Sequence, residues 1–140
     1  MKTTKYEDLK MGQSAEVVHT VTENDIQTFG DLSGDYNPLH FDENFASKTK
    51  FGKLVGQGGI TTGILHAIVA MDLPGPGTVF LNQNFQFTAP VFIGDTITGT
   101  AEVYEIHKSK PVTKLNVKVV NQRKETVLEG KVICYSMDGI

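Results

Sequence analysis

The stretch ITTGILHAIVAMD, residues 60–72, decides how the rest of this chain can pack. Its apolar residues recur at helical spacing on one side and also fill the other sides, and no charged residue occurs before Asp72. A helix that is apolar nearly all round has to be buried over most of its surface. The stretch therefore predicts a central helix enclosed by the rest of the fold, and the helix breakers of PGPG, residues 74–77, end it.

The segments after this helix alternate apolar and polar residues, which is the period of a strand with one buried face. Four of them, and one strand before the helix, are predicted at about 14–21, 79–87, 96–103, 114–119 and 126–136. Short connections such as HKSKP, residues 107–111, predict antiparallel hairpins. We expect an α+β hotdog fold, in which a five-stranded antiparallel sheet wraps around the long central helix.

The region between the first strand and the central helix is predicted to carry one amphipathic helix and one rigid loop. Thr22 is a suitable cap for the helix, and Gly34 is a suitable stop. Pro38 opposes both strand pairing and helix at the residue before it, so residues 35–42 are expected to form a fixed loop. A short helix is expected within residues 43–50.

Length and composition limit the class of protein. A chain of 140 residues fits one domain, which we assign to residues 1–140. The net charge of −3 and the lack of a Lys/Arg run argue against a nucleic-acid partner. No apolar run approaches the roughly 20 residues that span a bilayer, and the N-terminus lacks the apolar core of a signal peptide. We therefore expect a cytoplasmic protein without a membrane partner.

The predicted loop contains a carboxylate and an imidazole close together. Asp35 and His40 are the natural pair for moving protons near neutral pH, and the amide of Asn37 between them can orient a water or a carbonyl. The alternative from these residues alone is that Asp35 forms a turn and His40 lies on the surface. Asp35, His40 and Asp42 could supply metal ligands, but so few ligands within one loop predict that no metal is bound.

The sequence GQGG, residues 56–59, directly precedes the central helix. The start of a helix presents unpaired N–H groups, and glycine lets a substrate oxygen approach them closely, as in an oxyanion hole. The alternative is a simple entry turn. The nucleotide-binding fingerprints fail here, because Thr61 stands where a glycine is needed.

Three further features have mainly structural interpretations. His66 is expected to be a core or pocket residue of the central helix, and Cys134 a core residue of the last strand. Lys48, Lys50 and Lys53 either form a solvated face or contact the phosphates of a ligand.

The motif GDYNPLHFD, residues 34–42, resembles the D-x-N-P-x-H signature of the MaoC-like, or (R)-specific, enoyl-CoA hydratases. The glycine turn, the apolar helix and the stretch from Leu73 to Ile97 are similar to that family as well, so that the resemblance covers about residues 12–136. By this resemblance Asp35 and His40 match the catalytic pair. Gly58 matches the glycine whose N–H polarises the thioester carbonyl. Many relatives have histidine where this chain has Gln57.

The family implies reversible addition of water to a trans-2-enoyl-CoA, which gives an (R)-3-hydroxyacyl-CoA, without any cofactor. We expect Asp35, His40 and Gly58 to be catalytic, and Asn37, Gln57 and Gly59 to bind substrate. Because one sheet would leave part of the central helix exposed, we also expect a homodimer. An acyl-CoA thioesterase of the same fold and a non-catalytic module that binds acyl thioesters are the alternatives.

Overall fold

The structure is a computed structural model that describes residues 6–137. Residues 1–5 and 138–140 of the predicted domain lie outside the described residues. The elements in chain order are a 3₁₀ turn at Tyr6–Asp8, β1 at Ser14–Thr20, α1 at Glu23–Ser33, α2 at Pro38–Phe41, α3 at Glu43–Ser47, α4 at Gly58–Met71, β2 at Thr78–Phe87, β3 at Thr96–Ile106, β4 at Val112–Val120 and β5 at Thr126–Ser136.

The five strands form one antiparallel sheet in the order β1-β3-β4-β5-β2. Its apolar face packs on α4, so the predicted arrangement of a sheet around a central helix is confirmed. Both predicted hairpins, β3–β4 and β4–β5, are present. Leu65 and Ile68 of α4 are almost fully buried against sheet residues such as Ile97, Leu115 and Val132.

One side of α4 is not covered by its own sheet. Gly63, His66, Ala67 and Ala70 are exposed, and 47% of Met71 is exposed. The His66 ring packs edge-on against Phe80 of β2, with 4.8 Å between the ring centroids. The uncovered side of the helix therefore continues into the β2 edge of the sheet.

The prediction for residues 35–42 was wrong in one respect, because Pro38–Phe41 form the short helix α2 and not a loop. Proline is tolerated at the first position of a helix, where its missing N–H would have no helical partner anyway. Asn37 precedes it in an extended conformation and caps it, with its Oδ1 accepting the Leu39 N–H at 3.1 Å. Proline thus starts a helix here, and the restriction it imposes applies only to the residue before it.

The pattern predicted for β2 was also wrong in phase. Plain alternation along the predicted strand 79–87 puts Val79, Leu81, Phe85 and Phe87 on one face. The strand register, however, shifts between Phe80 and Asn82, where Leu81 has no opposite residue in β5. A β-bulge of this kind reverses which side chains point inward. As a result Phe80 and Phe85 pack on the core, whereas 42% of Val79 and 59% of Leu81 are exposed.

Candidate active site

Asp35 is held in place by the end of α1. The helix stops at Gly34, whose left-handed backbone (φ 79°) lets its N–H bond to the Gly30 carbonyl. The Asp35 N–H then donates to Ser33 Oγ at 3.1 Å, and Asp35 Oδ1 accepts the Asn37 N–H at 3.3 Å. One carboxylate oxygen therefore fixes the turn, as the alternative interpretation expected, and the other remains available.

Two aromatic rings clamp this turn onto α1. Gly30 has no side chain, and the rings of Tyr36 and Phe41 occupy the space where one would lie. The Tyr36 hydroxyl donates to Asp31 Oδ1 at 2.6 Å, and this bond raises the pKa of Tyr36 and lowers that of Asp31. The segment that carries Asp35 and His40 is therefore tied to α1 at both of its ends.

His40 faces Asp35 across a short gap. His40 Nε2 lies 3.6 Å from Asp35 Oδ2, and 11% of the His40 side chain and 41% of the Asp35 side chain are exposed. His40 Nδ1 lies 2.7 Å from the main-chain oxygen of Val55. Because a carbonyl can only accept, Nδ1 carries the proton of the neutral ring, and Nε2 presents a lone pair towards Asp35. Two acceptors thus face each other at a distance that one water molecule can bridge.

The main chain at Val55 ties α2 to the rest of the fold. The Val55 N–H donates to the Leu39 carbonyl at 3.1 Å, and Val55 also forms a bridge with Phe92. The next residue, Gly56, donates its N–H to the Val91 carbonyl at 2.7 Å. The ring of His40 is therefore oriented by a segment that is itself paired on both sides.

The N-terminus of α4 is free of side-chain caps in the described residues. Its N-cap residue, Gln57, makes no capping hydrogen bond, and Gly58 is the first helical residue. A serine, threonine or aspartate at the N-cap would usually occupy the first free N–H groups. Here these groups and the positive end of the helix dipole remain available to an anionic oxygen.

His40 and Gly58 line the same cavity, which has a volume of about 440 Å³. Its other walls are mostly apolar: Leu39, Lys50, Phe51, Val55, Gly56, Thr61, Phe87, Thr88, Ala89, Pro90, Val91 and Val127. The Phe87 ring lies 3.0 Å from the position that a Cβ on Gly58 would occupy. An apolar cavity with an imidazole at one wall and the uncapped start of a helix at another fits an apolar chain attached to a polar reacting group.

The predicted site residue Gly59 lies on a different side of α4. It lines a second groove of about 460 Å³ together with Val17 and Ile64. The Phe29 ring occupies the space above Gly59 so closely that a Cβ would overlap it. The structure thus pairs Asp35 with His40 and puts His40 and Gly58 in one cavity, whereas Gly59 packs against Phe29 of α1.

The side chain of Gln57 points away from the cavity and is 1% exposed. Its Nε2 donates to the Ile26 carbonyl at 2.9 Å and lies 3.5 Å from the Asp35 carbonyl, the outer limit of a hydrogen bond. Gln57 Oε1 is buried without a partner among residues 6–137. Leaving such an atom unpaired costs about 1–3 kcal/mol. Substrate binding by Gln57, Asn37 and Gly59 stays a prediction.

The remaining sequence candidates, Lys50, Lys53 and His66, lie at three separate places. Lys50 lines the cavity, and Lys53 lies over the Phe92 ring with Nζ 4.3 Å from its centroid. His66 is exposed beside β2 and was wrongly placed in the core. Within residues 6–137, no three His, Cys, Asp or Glu side chains are arranged to hold a metal ion, and no helix is long and apolar enough to cross a membrane.

Cys134 is buried in the core, and its burial raises the pKa of the thiol to about 12. Because the thiolate is the reactive form, the folded protein is expected not to react with a thiol reagent such as DTNB at pH 8. One thiol per chain should appear when the protein is unfolded in guanidinium chloride. Rapid stoichiometric labelling of the native protein would contradict the burial of Cys134.

The chain thus combines a sheet-wrapped helix, a close Asp/His pair and a helix start without a side-chain cap. Residues 5–127 match the family described as MaoC like domain, and the chain belongs to this family. The resemblance seen in the sequence is thereby confirmed.

Individual relatives agree with the family. The chain is 39% identical to an (R)-specific enoyl-CoA hydratase of Rhodospirillum rubrum, over 91% of this chain and 84% of the relative. It is 34% identical to a 3-hydroxybutyryl-CoA dehydratase of Methylorubrum extorquens, over 91% of this chain and 81% of that protein. The solved structure of the (R)-hydratase of Aeromonas caviae, involved in PHA biosynthesis, superposes with a TM-score of 0.90 at 29% identity, over 94% of this chain and 99% of that chain. The hotdog fold is thereby shown.

Two contributors to the site were not found from the sequence. The Val55 carbonyl orients His40, but a main-chain group leaves no signal in the residue type. Phe87 covers Gly58 although 59% of the residue is exposed; alternation with Phe85 predicts its face of β2, but its contact with Gly58, twenty-nine residues away, leaves no signal in the sequence.

Proposed function

We propose that this protein adds water to trans-2-enoyl-CoA to give (R)-3-hydroxyacyl-CoA, and catalyses the reverse dehydration. The observation that carries the proposal is the 3.6 Å separation of His40 Nε2 and Asp35 Oδ2, with His40 lining the same cavity as the start of α4. Membership of the MaoC-like family supports this activity, as do relatives named as enoyl-CoA hydratase and 3-hydroxybutyryl-CoA dehydratase.

In the proposed reaction, one water bridges Asp35 Oδ2 and His40 Nε2 by donating a hydrogen bond to each. Its oxygen forms a bond to C3 of the enoyl thioester while one of its protons passes to this pair. The electrons of the C2–C3 double bond move towards the thioester oxygen, and C2 then receives a proton from the pair. The oxygen, both protons and the electron pair are thus all accounted for.

The negative charge that develops on the thioester oxygen needs a stabilising donor. The N–H of Gly58 is proposed to supply it, because this group has no capping partner within the described chain and stands at the positive end of α4. A donor of this type contributes about 2.7–4 kcal/mol in oxyanion holes that have been tested by mutation. Asp35, His40 and Gly58 together supply all the groups that this chemistry needs, and we propose that no metal or organic cofactor takes part.

Crotonyl-CoA tests the function and separates its alternatives. Loss of the enoyl absorbance without release of free thiol, with (R)-3-hydroxybutyryl-CoA as the product, is the expected result. Thiol release would indicate a thioesterase, and binding without either signal would indicate a non-catalytic module. Activity should be the same after exhaustive treatment with EDTA, and a loss that added metal restores would contradict cofactor-free chemistry.

We propose that the active form is a homodimer that pairs through the β2 edge. β2 pairs only with β5 in the described chain, so its outer edge is open, and exposed apolar side chains accompany this edge. Open edges of this kind are usually covered. The uncovered side of α4 adjoins the same edge through the contact of His66 with Phe80, so a second copy would cover both.

Replacing Leu81 by lysine should shift the protein from dimer towards monomer in sedimentation velocity at micromolar concentration. The new charges would lie close together in a symmetric β2 pair, where they repel. Val18→Lys is the matched control, because 58% of Val18 and 59% of Leu81 are exposed and Val18 lies on the opposite edge strand β1. A monomeric wild-type protein, or an unchanged Leu81→Lys dimer, would contradict this interface.

We propose that CoA is the acyl carrier and that Lys50 interacts with its phosphates. Lys50 lines the wall of the cavity that holds His40 and Gly58. Lys50→Ala should raise KM for crotonyl-CoA about two- to fivefold, as expected for an exposed ion pair. It should leave the kinetics with the uncharged N-acetylcysteamine thioester unchanged. Lys108→Ala makes the same change of net charge in the β3–β4 loop, and an equal effect from that variant would assign the change to net charge alone. The cytoplasmic location stays a prediction.

A further inference from the structure

Gln57 connects the two halves of the site, and the inference it carries rests on the hydratase function proposed above. Its Nε2 donates to the Ile26 carbonyl of α1 at 2.9 Å and lies 3.5 Å from the Asp35 carbonyl. Its main chain directly precedes Gly58, the first residue of α4. The side chain of this one residue therefore reaches α1 and the turn that holds Asp35, while its main chain leads directly into the helix that offers the free N–H.

The polar character of Gln57 is not explained by stability. Ile26 lies inside α1, where its carbonyl already accepts a helical hydrogen bond. The other end of the amide, Oε1, is buried with no partner in the described part of the chain. An unbranched apolar side chain of similar length would fill the same space without an unpaired atom. A buried amide with an unpaired oxygen requires an explanation, and a role in the site is one that its two contacts support.

We propose that Gln57 is a positioning residue that sets the separation between the Asp35/His40 pair and the Gly58 N–H. Hydration needs a water at C3 and a donor at the thioester oxygen of the same rigid substrate at the same time. The side-chain amide of Gln57 positions the water through the Asp35 main chain. The backbone of Gln57 positions the donor through Gly58, the next residue. A small displacement of either group lowers the rate far more than it weakens binding, because the cavity walls are unchanged.

The test is Gln57→Met, compared with wild type in crotonyl-CoA hydration, in thermal unfolding and in binding of the unreactive butyryl-CoA. We expect kcat to fall by about tenfold or more, which is the loss that a small misplacement of the reacting groups causes. We expect the Kd for butyryl-CoA to be unchanged and the Tm to stay at or above that of wild type, because the unpaired oxygen has been removed. Gln13→Met is the control: it also removes a glutamine hydrogen bond, to the Lys10 N–H, but before β1.

A Gln57→Met enzyme with the kcat of wild type would overturn the proposal. The proposal would also be overturned if the loss of kcat only reflected a smaller folded fraction. Assays at low temperature, and the second variant Gln57→Leu, would reveal such unfolding. The function itself is judged separately, by whether wild type hydrates crotonyl-CoA and His40→Ala does not. An active wild type whose rate is unaffected at position 57 refutes the positioning role and leaves the hydratase function intact.

Discussion

Hydration of crotonyl-CoA is expected to fall at least about a hundredfold in kcat when His40 is replaced by alanine, and to a similar degree in Asp35→Asn. In the first variant the bridging water loses the acceptor at Nε2. In Asp35→Asn an amide replaces the carboxylate whose Oδ2 lies 3.6 Å from His40 Nε2, so the water loses a charged acceptor. The measurement is steady-state hydration followed by the enoyl absorbance, with circular dichroism to establish that each variant folds.

The chain offers a matched control for this experiment, because it contains a second His–Asp pair. His19 Nε2 lies 2.7 Å from Asp25 Oδ2, where Asp25 also forms the capping box of α1 with Thr22. His19→Ala removes an imidazole from a tighter pair outside the cavity and should leave kcat near wild type. Equal losses in His19→Ala and His40→Ala, or near-wild-type hydration by folded Asp35→Asn and His40→Ala, would refute the assignment of the pair.

Gly58→Pro is expected to lower kcat about 100- to 1,000-fold, the range for removal of one oxyanion-hole donor. Proline lacks the N–H, and it is tolerated at the first helical position, which Gly58 occupies. Gln57 already has the extended backbone (φ −63°, ψ 140°) that a following proline requires. The substitution therefore removes the donor while the helix should still begin at the same residue.

Gly58→Ala is the companion variant, because it adds a Cβ and keeps the N–H. That Cβ would lie 3.0 Å from the Phe87 ring, and since 59% of Phe87 is exposed, the ring has room to shift. We expect a much smaller loss in Gly58→Ala than in Gly58→Pro. If the two variants lost activity equally, crowding at Phe87 would explain the effect and the N–H would have no special role.

The sequence was sufficient for those parts of the fold and site that depend on side-chain type. The apolar 60–72 stretch and the period-two strands specified the helix and the sheet, and the spacing of Asp35 and His40 in one short segment brought them face to face. These features are local, so pattern and chemistry together predict them. The residue roles remain to be tested by the variants above.

The parts that were missed depend on main-chain geometry or on packing. The bulge in β2 turns Leu81 outward, and the residue types in a strand do not predict where such a bulge occurs. Pro38 led to the prediction of a fixed loop, although at a helix start proline is compatible with the helix that Asn37 caps here. The contact of Gln57 with Ile26, thirty-one residues away, could not be inferred from spacing.

The bond between His40 and the Val55 carbonyl has an evolutionary consequence. Every amino acid at position 55 supplies the same carbonyl, so the proton on Nδ1 stays fixed whatever side chain occurs there. The side chain of Val55 is constrained instead by its burial and by its place in the cavity wall. The orientation of the ring is therefore robust to mutation at the residue that provides it, and a comparison of residue types among relatives would overlook position 55.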